Sequence, residues 1–172
     1  SGNDRAIGGA SSGGIAAFNA AWHRSDAFSR VYCNSGSFVS FYDGHEYPTL
    51  VRKTAPKAIR PFLTAATEDM DNSAGNWTLA IQEFKDALRF SGYDFQYRLI
   101  DGGHVAGYRD YFSEAMRYLW KDWPRPVDMA TGAPRVQDVL ANGYDWEVAT
   151  DKLLAPIALA SNEIGEIFAV DS

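Results

Sequence analysis

Near the start of the chain, Gly9-Ala10-Ser11-Ser12-Gly13 sets a serine among small residues with the spacing G-x-S-x-G. Residues 5–10 read as a short strand, and residues 15–22, apolar at 15, 18 and 22, as a helix rich in small residues. A serine on a sharp turn between strand and helix is lifted clear of the sheet, where its oxygen can attack a carbonyl carbon. Such a turn tolerates little bulk, which accounts for glycines on either side. The first amides of the helix point at the same spot, so the backbone N–H of Ser12 is placed to donate to a developing oxyanion. Ser12 is the rival nucleophile in this turn; counting from Gly9 and Gly13 favours Ser11. A phosphate cradle fits less well, because no Gly-Lys-Ser/Thr follows and the spacing is not G-x-G-x-x-G. The plain alternative is a glycine-rich connection with no chemistry.

A serine hydroxyl needs a base, and the chain has three histidines, His23, His45 and His104. His23 falls at the end of the serine helix, about 16 Å along the axis from Ser11, and reads as a surface or capping residue. His45 follows Gly44 in a polar stretch and is at most a cleft-lining residue. His104 comes directly after the strand read over residues 93–100, in Asp101-Gly102-Gly103-His104, whose glycines let it reach back. The chain order serine, acid, histidine then puts the acid after an earlier strand, residues 61–66. Thr67-Glu68-Asp69-Met70-Asp71 offers three carboxylates there; Asp69 is favoured, then Asp71, then Glu68. The acid would hold the His104 tautomer and stabilise its imidazolium. All of this requires the His104 loop to fold over the Ser11 turn; the two groups held apart on opposite edges of the sheet would exclude it.

The elements that must position these groups alternate. After the first strand and helix come a strand over 28–33, the polar loop Asn34-Ser35-Gly36-Ser37, and a helix from Glu46 to about Thr54, opened by Pro48 and closed by Pro56. The strand 61–66 leads to a loop over 69–75. A helix over 77–90 shows apolar spacings of three, four and seven at Trp77, Ala80, Ile81, Phe84, Ala87 and Leu88, and ends at Ser91-Gly92. The strand 93–100 and a helix over 108–120 complete the series. The order β-α-β-α-β-α-β-α predicts a parallel sheet with helices on both faces. Cys33 ends an apolar run and reads as a small buried hydrophobe. Trp22, Phe41, Tyr42 and Tyr108 either line a cleft or pack in the core.

Composition narrows the function classes. The 172 residues are 46% hydrophobic, 14% aromatic and 22% charged, as in a globular protein. A net charge of −6 with no basic block argues against a nucleic-acid partner. No apolar run approaches the ~20 residues that span a bilayer, so no membrane partner is expected. One cysteine excludes an internal disulfide and a multi-cysteine metal site. No signal peptide is visible; the compartment stays open, with a periplasmic or secreted location expected if an upstream signal exists. Pro124-Arg125-Pro126 and Gly132-Ala133-Pro134 mark a linker. The expected organisation is therefore residues 1–123 as an α/β domain, 124–136 as linker, and 137–172 as the first strands of an incomplete second domain, with a strand over 143–149 and a hairpin of 157–160 and 166–171.

Residues 4–123 resemble an esterase family that includes esterase D-like, feruloyl-esterase-like and enterochelin-esterase-like α/β-hydrolases. The resemblance is carried by residues 5–14, by Thr67-Glu68-Asp69, by Gly75-Asn76-Trp77 and by Gly102-Gly103-His104. In the family the acid commonly sits in Gly-Thr-Asn-Asp; here Ala66-Thr67-Glu68-Asp69 carries it onto Asp69, while Gly75-Asn76-Trp77 looks like a structural helix start. The resemblance implies the C-terminal half of an α/β-hydrolase fold. It also implies further strands before the nucleophile strand, which supply a second oxyanion amide; without them an exposed edge strand and little or no activity are expected. The tail, from Val139-Leu140 and Trp146-Glu147-Val148 through Ala155-Pro156 to Gly165 and Asp171, is similar to the opening of a gluconolactonase-like β-propeller of the senescence-marker-protein superfamily. There, a metal-binding Glu precedes the matched proline by two residues; here that place is Leu154, so no metal site carries over.

These readings converge on hydrolysis of a carboxylic ester through an acyl-enzyme, with Ser11 as nucleophile, His104 as base, Asp69 as the orienting acid and the Ser12 amide on the oxyanion. The expected partner is a small-molecule or carbohydrate-linked ester, with no cofactor and no metal. Acyl transfer in place of hydrolysis, or a non-catalytic binding module beside a propeller, are the alternatives.

Overall fold

The computed structural model describes residues 1–132 and, beyond them, the backbone of two strands, Pro156–Ser161 and Ile167–Asp171. The chain divides into two compact units, Ser1–Val136 and Gln137–Ser172.

In the first unit, the strands β1 (Ala6–Ala10), β2 (Arg30–Asn34), β3 (Arg60–Glu68) and β6 (Gln96–Gly103) form one parallel sheet in the order β1-β2-β3-β6. Parallel neighbours need a crossover, and helices supply it: α1 (Ser12–His23), α2 (Tyr47–Lys53) and α3 (Trp77–Phe90), with α4 (Phe112–Leu119) after β6. Side chains alternate along a strand, and this alternation sorts the helices. Val31, Cys33, Leu63 and Ala65 face one way, into a core shared with Phe18 and Trp22 of α1, Val51 of α2 and Ile81, Phe84 and Leu88 of α3. Tyr32 and Phe62 face the other way, against Ala115 and Leu119 of α4. The α/β architecture with helices on both faces is as expected, with three helices on one face and one on the other.

The small residues of α1 let it lie close to the sheet, and its Phe18 anchors an aromatic cluster: Phe84 packs edge-on against it at 4.7 Å and stacks on Phe38 at 3.9 Å between ring centroids. Asn76 caps α3 by accepting the Leu79 N–H at 3.0 Å, so Gly75-Asn76-Trp77 does start a helix as read. Gly92, with φ +70°, supplies the left-handed residue after its end.

At the N-terminal edge of the sheet, register partners Arg30 and Arg60 open β2 and β3, and both are buried. Arg30 Nε at 2.8 Å and Arg60 Nη1 at 3.3 Å donate to the carbonyl of Leu119, the last residue of α4. They thereby satisfy a free carbonyl at the negative end of the helix dipole. Arg60 also holds Asp94 at 2.8 Å and grips Asp122 with two bonds of 2.6 and 2.9 Å. This end of the sheet lies opposite the one at which the strands run out into the Ser11, Asp69 and His104 turns.

Several boundaries differ from the sequence expectations. The second strand starts at Arg30, not Phe28, because the buried arginine finds partners only in the folded chain. The third runs on to Glu68 and the fourth shifts to Gln96–Gly103, since each continues where it pairs with the other. Before α2, residues Phe41–Glu46 form 3₁₀ turns kinked at Tyr42 and Asp43, both with positive φ. The expected loop over 69–75 contains a tight antiparallel hairpin, β4 (Asp71–Asn72) with β5 (Gly75–Asn76). The last helix is shorter than 108–120, because residues 104–111 are turns with positive φ at Val105 and Gly107. Trp22, weighed as a cleft residue, is core.

In the second unit, β7 (Pro156–Ser161) and β8 (Ile167–Asp171) pair antiparallel. The strand expected over 143–149 lies outside the described residues, as do residues 133–136 of the linker. Among the described residues no helix is long and apolar enough to cross a membrane.

Candidate active site

All four strands of the sheet run the same way, so the residues that follow β1, β3 and β6 emerge at one end of it. Ser11 follows β1, Asp69 follows β3 and His104 follows β6. Loops at the C-terminal ends of parallel strands are where ligands bind in open α/β sheets.

Ser11 sits at φ 55°, ψ −124°, outside the regions an L-residue prefers. Such strain costs about 1–3 kcal/mol and persists only where the surroundings over-determine it. Here they do. The Ser11 N–H donates to the carbonyl of Asn34 at 2.9 Å, and the Ser11 carbonyl accepts from Gly14 at 2.9 Å, Ser37 at 3.2 Å and Ile15 at 3.3 Å. A Cβ on Gly9 would stand 2.4 Å from the Gly13 carbonyl oxygen, and one on Gly14 would stand 3.0 Å from Cys33 Sγ. Gly13 differs: a Cβ there meets nothing within 4 Å, so the second glycine of the motif is not demanded by the turn. Ser12 opens α1, and its amide has no carbonyl one turn back to bond. Its side chain is exposed, on the rim of a cleft that Ser11 also lines.

Of the three carboxylates at and after the end of β3, Glu68 and Asp71 are exposed, whereas the Asp69 side chain is fully buried. Its Oδ1 lies 2.5 Å from His104 Nδ1 and accepts the Met70 N–H at 2.7 Å; its Oδ2 is buried without a partner. The contact fixes the His104 tautomer by elimination: Nδ1 carries the proton toward the carboxylate, and Nε2 is left as an acceptor.

β1 and β6 are the two outermost strands, roughly 14 Å apart at about 4.8 Å per step, so the reach of the His104 loop decides whether the groups share a site. A register shift between β3 and β6, with an extra residue on β6, turns the end of that strand, and Gly102 takes φ +127° there. The loop then returns over the sheet. The Val105 N–H donates to Ser35 Oγ at 3.2 Å, and Asn34 Nδ2 donates to the Ala106 carbonyl at 3.1 Å. Both anchors stand at the end of β2, the immediate neighbour of β1. Trp77 joins the two halves from the side: its ring lies edge-on to His104 at 6.1 Å, and its Nε1–H donates to Ser37 Oγ at 3.2 Å, which in turn lies 3.5 Å from Ser11 Oγ. The structure thus brings Ser11, His104 and Asp69 to one end of the sheet. Among the described residues, Ser37 is the side-chain hydrogen-bond partner of Ser11 Oγ, and no Ser11–His104 hydrogen bond is formed.

Beside Ser11 lies a cleft of about 500 Å³, walled by Phe41, Met70, Trp77 and the tip of the β4–β5 hairpin at Asn72, Ser73 and Ala74. The hairpin is pinned by Ser40, whose N–H and Oγ both donate to the Ala74 carbonyl, at 2.9 and 2.8 Å. Phe41 alone of the four aromatics weighed earlier lines this cleft. Tyr42 borders a separate depression with Ile15 and Tyr47, Tyr108 stacks on Tyr32 at 5.6 Å beside another, and His45 lies in a depression along α2. His23 ends α1, exposed. Burial pushes the Cys33 thiol up to about 12, as fits a small core residue. Among the described residues no three of His, Cys, Asp and Glu cluster as metal ligands.

Sequence reading assigns no part in the site to Asn34, Ser35 and Ser37, and takes Trp77 only as a helix start; the structure sets its ring against His104 and Ser37. The first three looked like loop, and nothing local marks a loop serine as a neighbour of another serine 26 positions away.

The sequence matches no protein-family model, and a search of curated proteins finds no match. Solved structures do. A ferulic acid esterase superposes with a TM-score of 0.51 at 22% identity, over 69% of this chain and 52% of its own. The ferric enterobactin esterase of Salmonella typhimurium gives 0.52 at 22% identity, over 70% of this chain and 31% of its own. That of Shigella flexneri gives 0.51 at 21%, over 70% and 32%. The fold is shared with these esterases. At such identity the likeness concerns the fold alone, and this chain spans about half the length of the first and about a third of the other two.

Proposed function

We propose that this chain carries the catalytic half of a serine esterase that hydrolyses carboxylic esters through an acyl-enzyme. The observation that carries this is the fully buried Asp69 carboxylate against His104 Nδ1, at the same end of the sheet as a strained serine turn and on a loop anchored beside it at Asn34 and Ser35. Ser11 Oγ attacks the ester carbonyl while its proton passes to His104 Nε2, and the carbonyl electron pair moves onto the oxygen, which the Ser12 amide faces. Collapse expels the alcohol, which takes the proton from His104. Water, deprotonated by the same histidine, then releases the acid. Asp69 holds the ring in the tautomer this requires and offsets the imidazolium charge. The cleft walls of Phe41, Met70 and Trp77 suit a flat apolar group on the ester, carried by a small molecule or a carbohydrate. The esterase fold of the neighbours supports the assignment.

Reaction with an alkyl fluorophosphonate tests it, because phosphonylation needs the nucleophile and base but no particular substrate. In full-length protein with any strands that precede this chain in place, one adduct is expected, located to Ser11 by peptide mass mapping, and S11A and H104A are expected to gain none. Adduct on Ser12 would move the nucleophile one residue along the same turn, and no adduct on folded protein would leave a hydrolase-like fold serving as a binding module.

A further inference from the structure

We propose that Ser37 is a positioning residue for the nucleophile: its hydroxyl, held as an acceptor by the Trp77 indole, donates its one proton to Ser11 Oγ and so reserves the Ser11 proton for His104. This rests on the serine-esterase reading above.

The inference comes from counting protons. Ser37 is buried, and its Oγ has two polar side-chain neighbours, Trp77 Nε1 at 3.2 Å and Ser11 Oγ at 3.5 Å. An indole nitrogen only donates, so Ser37 Oγ is the acceptor of that bond. A hydroxyl has a single proton, and the remaining neighbour that can take it is Ser11 Oγ. With Ser11 Oγ accepting from Ser37, the Ser11 proton is free to point elsewhere, toward the imidazole that the Asp69 contact leaves with an open Nε2.

The length of the contact matters. At 3.5 Å it lies beyond the 2.5–3.0 Å of an ordinary O–H···O bond, so it stabilises the resting serine little. As Ser11 loses its proton, its oxygen becomes an anionic acceptor, and bonds to such acceptors are shorter and about twice as strong. The interaction therefore grows toward the transition state, which is the condition for it to speed the step. The same donor faces Ser11 Oγ when that oxygen departs from the acyl carbon.

Ser37 is also held rigidly enough for this. Its N–H donates to the Ser11 carbonyl at 3.2 Å, and the next ring along, Phe38, is stacked on Phe84. A Cβ on Gly36 would stand 2.6 Å from Cys33 Sγ, and one on Gly44 would stand 2.3 Å from the Ser37 carbonyl oxygen. The backbone on which the hydroxyl is mounted has no room to swing.

The alternative is that Ser37 merely satisfies a buried indole N–H, and the test separates the two. Fluorophosphonate labelling is resolved into an inactivation rate and a half-saturating concentration for wild type, S37A and S37T, with melting temperatures alongside. S37A is expected to lose about tenfold to a hundredfold in the rate, with half-saturation within twofold, and S37T, which keeps a hydroxyl, to recover most of it. An S37A protein that melts earlier yet labels at the wild-type rate overturns the proposal and leaves the esterase reading intact. If S37A does not fold, W77F decides: freed of the indole, the Ser37 hydroxyl turns away and the rate drops severalfold, whereas an unchanged rate overturns the proposal. A wild-type protein that never labels refutes the esterase reading and this inference together.

Discussion

Replacing Asp69 by Asn separates the charge of the buried carboxylate from its shape. Asp69 Oδ1 accepts from both His104 Nδ1 and Met70 N–H, while Oδ2 has no partner. An asparagine can place its carbonyl at the Oδ1 position and keep both bonds, or place its amide there and set it against two N–H groups. The second orientation forfeits two hydrogen bonds at about 1 kcal/mol each and adds donor–donor repulsion, so the first prevails. The His104 tautomer is therefore retained, and the loss is one of charge. At an effective dielectric of ~20, a carboxylate about 4 Å from an imidazolium is worth about 4 kcal/mol, or roughly a thousandfold in rate. Labelling by fluorophosphonate should slow by about that factor in D69N. The buried amide lacks an acceptor at the Oδ2 position, which costs about 1–3 kcal/mol of stability and lowers the melting temperature by several degrees. A folded D69N protein that labels within about fivefold of wild type would refute the assignment of Asp69 to His104.

Further outcomes follow from the packing. Gly9→Ala sets a methyl against the Gly13 carbonyl and should abolish labelling with a clear loss of stability, whereas Gly13→Ala fills open space in a helix and should raise the melting temperature, by up to ~1 kcal/mol of stability. Cys33, buried and with its thiol raised to about 12, should stay protonated and inert to thiol reagents at pH 8 in the native protein and react on unfolding; stoichiometric native labelling would contradict its placement. The hydrogen bonds from Arg60 hold the Asp122 carboxyl well below the usual carboxylate range. A depressed folded-state pKa contributes stability above the unfolded value near 4, and that contribution is lost as pH falls through the folded one. Asp122 is partly exposed and Arg60 keeps Asp94, so Asp122→Asn should cost about 1–2 kcal/mol at pH 7, as for a hydrogen bond to a charged group, and the gap to wild type in urea titrations should narrow progressively below about pH 4.

Where the signal was local, the sequence was a sufficient guide. The strand–serine–helix unit and the helix over 77–90 were legible because spacing, a cap and glycine positions all lie within a few residues. The choice of Asp69 over Glu68 and Asp71 was open on spacing and rested on a family pattern; in the fold these three differ by burial, which no composition reveals. Strand limits were missed at Arg30 and Arg60, charged residues that enter the sheet only because a helix terminus and two aspartates await them. Gly13 was over-read: motif counting made it part of the turn, and the turn leaves it room. The anchoring of the hairpin over 71–76 by Ser40 and the contact of Ser37 with Ser11 span more than 25 positions, which periodicity does not encode.

The end of β2 has one further consequence. Asn34 and Ser35 grip the histidine loop, and the Asn34 carbonyl together with the Ser37 amide grips the serine turn, all within four consecutive residues. Substitutions on the two sides will not combine independently, because each shifts the shared support of the other. Mutational drift at this edge is thus confined to paired changes, and a library randomised at the serine turn alone will yield fewer working variants than one that varies residues 34–37 with it.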